Sequence, residues 1–316
     1  MKVVSSGKLK TAIKDHLKET YPQITFQFLP SMKEAESYLS EAEILLTYGE
    51  DLTTELIQQA SCLKWIMVLS AGLERMPFEA IKEKDILITN ARGIHSIPMA
   101  EYTISVMLQT ARHTKQVLAN EKSKIWNKKL PIEEITGSTI GIVGTGAIGC
   151  EIARLARAFR MKTLGVNRSG HESNYFDRIY DNENILTMLP HCDFVVGVLP
   201  STIETRNYFK KEHFEAMKES TVFINIGRGD TVEEKDLIVA LEQNRLKHAV
   251  LDVFKNEPLD PAHPFWEMDN VTITPHHSAI SGGYQPRAIE IFEYNLMEYQ
   301  KHEGEMKNII DPDRGY

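Results

Sequence analysis

Short apolar runs alternate with polar, helix-forming stretches along nearly the whole chain. Before residue 95 the runs at 1–5, 24–29, 44–47, 65–69 and 86–89 read as strands: each is a brief apolar block, the pattern of strands buried on both faces of a sheet. Between them, 8–19 and 31–40 read as helices. A second series opens near residue 139. It predicts strands at 139–143, 162–166, 194–199, 222–226, 249–253 and 271–273, with helices at 147–160 and 233–245. Such alternation predicts an α/β protein with largely parallel sheets. Two series predict two doubly wound, Rossmann-like domains with a cleft between them for cofactor and substrate. The long apolar stretch 97–112 leads from the first series toward the second. The last helical stretch, 286–299, is inferred to return to the first domain and make it discontinuous.

Composition narrows the function. The 316 residues suffice for two domains, and a hydrophobic fraction of 42% with 25% charged residues is that of an ordinary globular protein. Asp plus Glu number 44 against 36 Lys plus Arg, a net charge of -8, which argues against a partner held by its phosphate backbone. No nucleic-acid partner is expected. Three widely spaced cysteines, Cys62, Cys150 and Cys192, make neither a disulfide framework nor a CxxC pair, so a reducing compartment, the cytoplasm, is expected. The start lacks a signal-peptide core, and no apolar run is long enough to cross a bilayer, so no membrane association is expected. The sequons at Asn167 and Asn270 are accordingly expected to stay unmodified.

The predicted strand 139–143 runs straight into Gly144-Thr145-Gly146-Ala147-Ile148-Gly149. This is GxGxxG between a strand and an amphipathic helix, the setting in which it signals a dinucleotide. The first glycine permits the tight turn, the second lets pyrophosphate approach the backbone, and the third lets the helix pack closely. Free N–H groups at the helix start, around Ala147 and Ile148, then face the phosphates. Ile148, Ile152, Leu155 and Phe159 form the stripe that packs the helix on the sheet.

The next strand ends at Asn167-Arg168-Ser169. NAD enzymes usually carry Asp or Glu here to hold the ribose hydroxyls, and that carboxylate repels a 2′-phosphate. Asn167 is neutral, Arg168 can pair with phosphate or stack on adenine, and Ser169 adds a hydrogen bond. The expected cofactor is therefore NADP(H), with NAD(H) use left open.

Three further segments follow later strands, where ligands bind in doubly wound folds: Ile226-Gly227-Arg228-Gly229, Asp252-Val253-Phe254-Lys255-Asn256-Glu257-Pro258, and Thr274-Pro275-His276-His277. They supply an arginine, a carboxylate and a histidine, each beside Gly or Pro. Taken alone, the residues do not choose between His276 and His277. The paired histidines have no further ligand at a metal-site spacing, so no metal is expected. His95, His171 and His191 lack any such context. Trp126 reads as a packed aromatic, with a place lining the cleft as the alternative.

Together the four motifs resemble the D-isomer-specific 2-hydroxyacid dehydrogenase family over nearly the whole chain, most densely across 138–280. The Asn-Arg-Ser loop and the segment Pro98-Met99-Ala100-Glu101-Tyr102 are similar to the short NADP-dependent glyoxylate/hydroxypyruvate reductases. The resemblance implies a substrate-binding domain of flavodoxin-like type, 1–96 plus 282–316, and a dinucleotide-binding Rossmann domain, 97–281. It implies reversible reduction of a small 2-oxo acid to a D-2-hydroxy acid by hydride transfer. Arg228 would bind the substrate carboxylate and carbonyl through its two-donor fork. His276, selected by the family's Thr-Pro-His order, would be the general acid. Glu257 would orient it and favour the imidazolium. Leu199, Pro200, Thr205, Ile226, Gly227 and Asp252 would lie beside the cofactor, and Ser70, Ala71 and Gly72 would meet the substrate carboxylate. A homodimer is the family's usual assembly. The chain ends at Tyr316 without the regulatory domain of long phosphoglycerate dehydrogenases, so their feedback control is not expected. A cofactor-sensing corepressor shares the fold and is the competing reading. Formate dehydrogenase is disfavoured, because its histidine partner is glutamine where this chain has Glu257.

Overall fold

The structure is a computed structural model that describes residues 1–70, 72–73, 75–301 and 304–313. The chain divides into two compact units, 1–94 with 281–316, and 95–280.

The first unit holds a five-stranded parallel sheet of β1 (Lys2–Ser5), β2 (Thr25–Phe28), β3 (Ile44–Thr47), β4 (Trp65–Val68) and β5 (Leu87–Asn90). Its order is β2-β1-β3-β4-β5, the flavodoxin-like arrangement. Every residue of β3 and β4 is buried, because helices cover both faces. One of these helices, Tyr284–Gln300, stacks Phe292 on Trp65 at 5.5 Å between ring centroids. The Trp65 indole N–H donates to the Thr89 hydroxyl at 2.9 Å, so the largest side chain of this core has its polar atom satisfied. The predicted helix 31–40 is instead a single α-turn, Met32–Ala35, continued by a 3-10 helix, Glu36–Glu41. Its polar run supplies only Met32, Ala35 and Leu39 as buried anchors.

The second unit holds a seven-stranded parallel sheet of β6 (Thr139–Val143), β7 (Lys162–Val166), β8 (Arg178–Tyr180), β9 (Phe194–Gly197), β10 (Val222–Asn225), β11 (His248–Leu251) and β12 (Val271–Ile273). Its order, β12-β11-β10-β9-β6-β7-β8, reverses direction between β6 and β9. That switch point is where doubly wound folds take their ligand. The sequence reading missed β8, which pairs on one side only and buries a single residue, Tyr180. An edge strand of three residues carries no doubly buried pattern to recognise. The helix Ser96–Ala111 packs against Ala147–Ala158, where Ala153 and Ala156 are fully buried and let the two backbones approach. Among the described residues no helix is long and apolar enough to cross a membrane.

Candidate active site

Register aligns the ends of six strands of the second unit. Val166 pairs with Val143, Val143 with Gly197, Gly197 with Asn225, Asn225 with Leu251, and Leu251 with Ile273. The residues that follow this row, Asn167, Gly144, Val198, Ile226, Asp252 and Thr274, therefore leave the sheet along one edge. The motifs read from sequence are brought together there because parallel strands all end on the same side.

The three glycines of the 144–149 loop differ in physical role. Gly144 has φ +108°, and a Cβ there would sit 2.7 Å from the Val198 carbonyl oxygen. A Cβ on Gly149 would sit 2.0 Å from the Gly144 carbonyl oxygen, so the helix start can fold onto the loop only without a side chain. A Cβ on Gly146 would meet nothing within 4 Å, so this backbone faces open space. Gly146 caps Ala147–Ala158 with no side-chain hydrogen bond, and the first turn has no acidic residue. Unpaired N–H groups, an open backbone and no competing carboxylate suit a pyrophosphate, so the loop fits a dinucleotide. Gly149→Ala is expected to weaken NADPH and NADH binding together by roughly 5–150-fold, since overpacking of this kind costs roughly 1–3 kcal/mol. Titration of both cofactors checks this.

Beyond β7, Asn167 is half-buried, while Arg168 and Ser169 are exposed. Asn167 Nδ2 donates to Thr145 Oγ1 at 3.0 Å and to the His171 carbonyl at 2.9 Å. Hydrogen bonds from its own backbone and from Thr202 hold the Glu204 carboxyl below its usual range, and the Arg168 guanidinium adds to this. In the loop after β9, Thr205 Oγ1 donates to the Pro200 carbonyl at 2.6 Å and accepts from Thr202 N–H at 2.8 Å, which closes 200–205 into a turn. Leu199 meets Gly227 through its backbone.

Arg228 stands between two glycines for a steric reason. A Cβ on Gly227 would lie 2.6 Å from the Leu199 carbonyl oxygen, and one on Gly229 would lie 1.9 Å from the Phe254 carbonyl carbon. Neighbouring loops thus touch this segment backbone to backbone, and only the Arg228 side chain projects. It is exposed, and its Nη1 donates to the Gly227 carbonyl at 2.8 Å. Among the described residues no carboxylate pairs with its guanidinium. A cation held between two close backbone contacts and without a carboxylate partner can receive an anionic ligand.

His276 and Glu257 meet as a pair. The Nδ1 of His276 lies 2.8 Å from Glu257 Oε2, with side-chain exposures of 47% and 35%. Glu257 Oε1 accepts the Phe254 backbone N–H at 2.9 Å, so both carboxylate oxygens are engaged and its orientation is fixed. His276 itself has φ +50°, uncommon for a non-glycine residue. The turn is held by Asp252, whose side chain is fully buried. Its Oδ1 accepts from Thr274 Oγ1 at 2.5 Å and from His277 N–H at 3.0 Å, and its Oδ2 accepts from Ser278 N–H at 3.0 Å. Its backbone carbonyl accepts His276 N–H at 2.8 Å. Thr274 gives its hydrogen to Asp252, so the Tyr102 hydroxyl, 2.6 Å away, donates to Thr274. Burial pushes Tyr102 up to about 12, which keeps that hydrogen in place. The resemblance implies a place for Asp252 beside the cofactor; the structure shows it as the anchor of the histidine turn. Nothing in the sequence pattern links Tyr102 to that turn, because it reaches Thr274 from the helix Ser96–Ala111, 172 positions earlier in the chain.

His277 stands edge-on to the Tyr102 ring at 5.8 Å, while its neighbour His276 engages Glu257. Trp126 is 89% exposed, which corrects the expectation of a packed aromatic: among the described residues no element covers it. In the other unit, Ser70 Oγ donates to the Tyr48 and Gly72 carbonyls at 3.2 and 2.9 Å, and Gly72 is exposed. Ala71 lies outside the described residues.

The chain is similar to known dehydrogenases and reductases. Residues 104–278 match the family description D-isomer specific 2-hydroxyacid dehydrogenase, NAD binding domain. A glyoxylate/hydroxypyruvate reductase B from Salmonella schwarzengrund is 33% identical over 245 residues, covering 75% of each chain. A D-isomer specific 2-hydroxyacid dehydrogenase family protein from Aeromonas salmonicida superposes with a TM-score of 0.82 at 32% identity, covering 99% of each chain. An NADPH-dependent glyoxylate/hydroxypyruvate reductase from Sinorhizobium meliloti, solved with NADP and sulfate, gives a TM-score of 0.77 at 26% identity and covers 100% of this chain and 99% of that one.

Proposed function

The chain belongs to the D-isomer-specific 2-hydroxyacid dehydrogenase family, and from that premise we propose that it is an NADP(H)-preferring reductase of small 2-oxo acids of the glyoxylate or hydroxypyruvate type. The observation that carries the proposal is the His276–Glu257 pair, 2.8 Å apart, on the sheet edge that also bears Arg228 and the glycine loop. Corepressors on this fold retain similar residues, so the pair does not separate the two readings; the net charge of -8 favours the enzyme, and turnover decides between them.

The roles follow from the chemistry of the side chains. Bound at the 144–149 loop and the 167–169 segment, with 199–205, 226–227 and Asp252 beside it, the nicotinamide cofactor supplies the hydride. Arg228 receives the substrate carboxylate and carbonyl through two parallel N–H donors. Glu257 accepts the Nδ1–H of His276, which leaves Nε2 as the nitrogen that gives a proton to the carbonyl oxygen during reduction and takes it back during oxidation. Asp252 keeps the 274–278 turn from shifting as that proton moves. We further propose a cytoplasmic homodimer; the free cysteines Cys62, Cys150 and Cys192 agree with a reducing compartment.

The test is oxidation of NADPH and of NADH in the presence of a panel of 2-oxo acids. Turnover of glyoxylate or hydroxypyruvate with NADPH preferred is the expected result. Tight NADPH binding without turnover of any 2-oxo acid would favour the sensor instead. Arg168→Ala is expected to lower kcat/KM with NADPH by on the order of 10–100-fold and to leave NADH nearly unchanged, as the loss of one charge-assisted phosphate contact. A clear preference of the unaltered enzyme for NADH sinks the cofactor assignment.

A further inference from the structure

The loop after β7 is tied to the glycine-rich loop by side chains, and the hydrogen count in that tie is informative. Asn167 Nδ2 donates to Thr145 Oγ1 at 3.0 Å and to the His171 carbonyl at 2.9 Å, while Asn167 Oδ1 accepts from Ser169 N–H at 3.3 Å. Ser173 Oγ donates to the same Thr145 oxygen at 3.2 Å. An amide has two hydrogens to give, and a hydroxyl has two acceptor sites and one hydrogen. Asn167 thus spends both of its hydrogens inside the clasp. Thr145 has both acceptor sites filled, and its own hydrogen remains to be donated elsewhere.

We propose that Thr145 is a specificity-determining residue for the phosphorylated cofactor, donating its hydroxyl hydrogen to an oxygen of the ribose 2′-phosphate while the clasp fixes 167–173 against the glycine loop. The proposal rests on the NADP(H) reading above. It gives the amide at position 167 a second effect besides the absence of a repelling charge. A carboxylate there only accepts, so Thr145 would turn its hydrogen inward and keep none for a phosphate. The polarity of one hydrogen bond then sets the direction of the next, and Arg168 and Ser169, exposed on the same loop, complete the recognition.

The test compares the unaltered protein with Thr145→Val, Thr145→Ser and Asn167→Asp. The dissociation constants of NADPH and NADH are measured by fluorescence titration without substrate, alongside kcat/KM. Thr145→Val is expected to weaken NADPH on the order of tenfold, as loss of one hydrogen bond to a charged group does. NADH should be nearly unaffected, and Thr145→Ser should restore NADPH affinity. Asn167→Asp should lose NADPH affinity by more than Thr145→Val. Equal weakening of both cofactors by Thr145→Val overturns the proposal, since the hydroxyl would then act on the shared pyrophosphate; unchanged NADPH affinity overturns it as well. If the unaltered protein binds NADH more tightly, the NADP(H) reading itself falls. If it prefers NADPH and Thr145→Val keeps that preference, the role of Thr145 alone falls.

Discussion

An enzyme carrying His276→Asn is expected to lose turnover by ~10²–10⁴-fold, the usual contribution of a positioned general acid, while its NADPH affinity stays close to that of the parent. Asparagine keeps the approximate size of the ring and can still donate a hydrogen bond to Glu257, so the turn held by Asp252 should persist. What is lost is a nitrogen that can carry and release a proton. The measurement pairs kcat for glyoxylate reduction with fluorescence titration of NADPH. Retained turnover removes His276 from the mechanism. A joint loss of turnover and cofactor affinity would mean that the loop has collapsed. Glu257→Gln is expected to lower kcat less, because Phe254 N–H can still be accepted by an amide oxygen.

The second large effect is expected at Arg228, where Arg228→Lys keeps the charge and removes the fork. Each hydrogen bond to a charged group is worth about 1.5–3 kcal/mol, so loss of one arm should lower kcat/KM on the order of 10–100-fold. Arg228→Gln, which loses both the charge and the paired geometry, should cost roughly 10²–10⁴-fold. Thermal stability should hardly change, because the side chain is exposed and, among the described residues, its one hydrogen bond is to its neighbour's carbonyl. Cofactor affinity should also hold. If Arg228→Gln instead weakened NADPH while substrate KM stayed constant, the arginine would belong to the cofactor.

What was legible in the sequence depended on whether the signal was local. The fold class was legible: a buried parallel strand is a short apolar block, so β3, β6, β7 and β12 begin and end where the pattern places them. The three glycines were legible as a motif, yet that Gly149 closes on the Gly144 carbonyl while Gly146 lies open is a statement about space. The paired histidines show the limit most clearly. Adjacent in sequence and chemically identical, His276 and His277 could be told apart only by resemblance. In the folded chain the backbone turn sends one to Glu257 and sets the other against Tyr102.

The sequence by itself determined the α/β class, the dinucleotide loop and the residue types that could bind an acid and move a proton, because each is written in a contiguous stretch. Only the tertiary structure decided that Asp252, Tyr102 and Thr274 form the support beneath His276, and that Thr145 answers Asn167 across two loops. The reason is parallel pairing, together with the packing of the helix that carries Tyr102. Register puts the ends of strands far apart in the chain on one row, and hydrogen bonds between those ends depend on distances that no local pattern encodes.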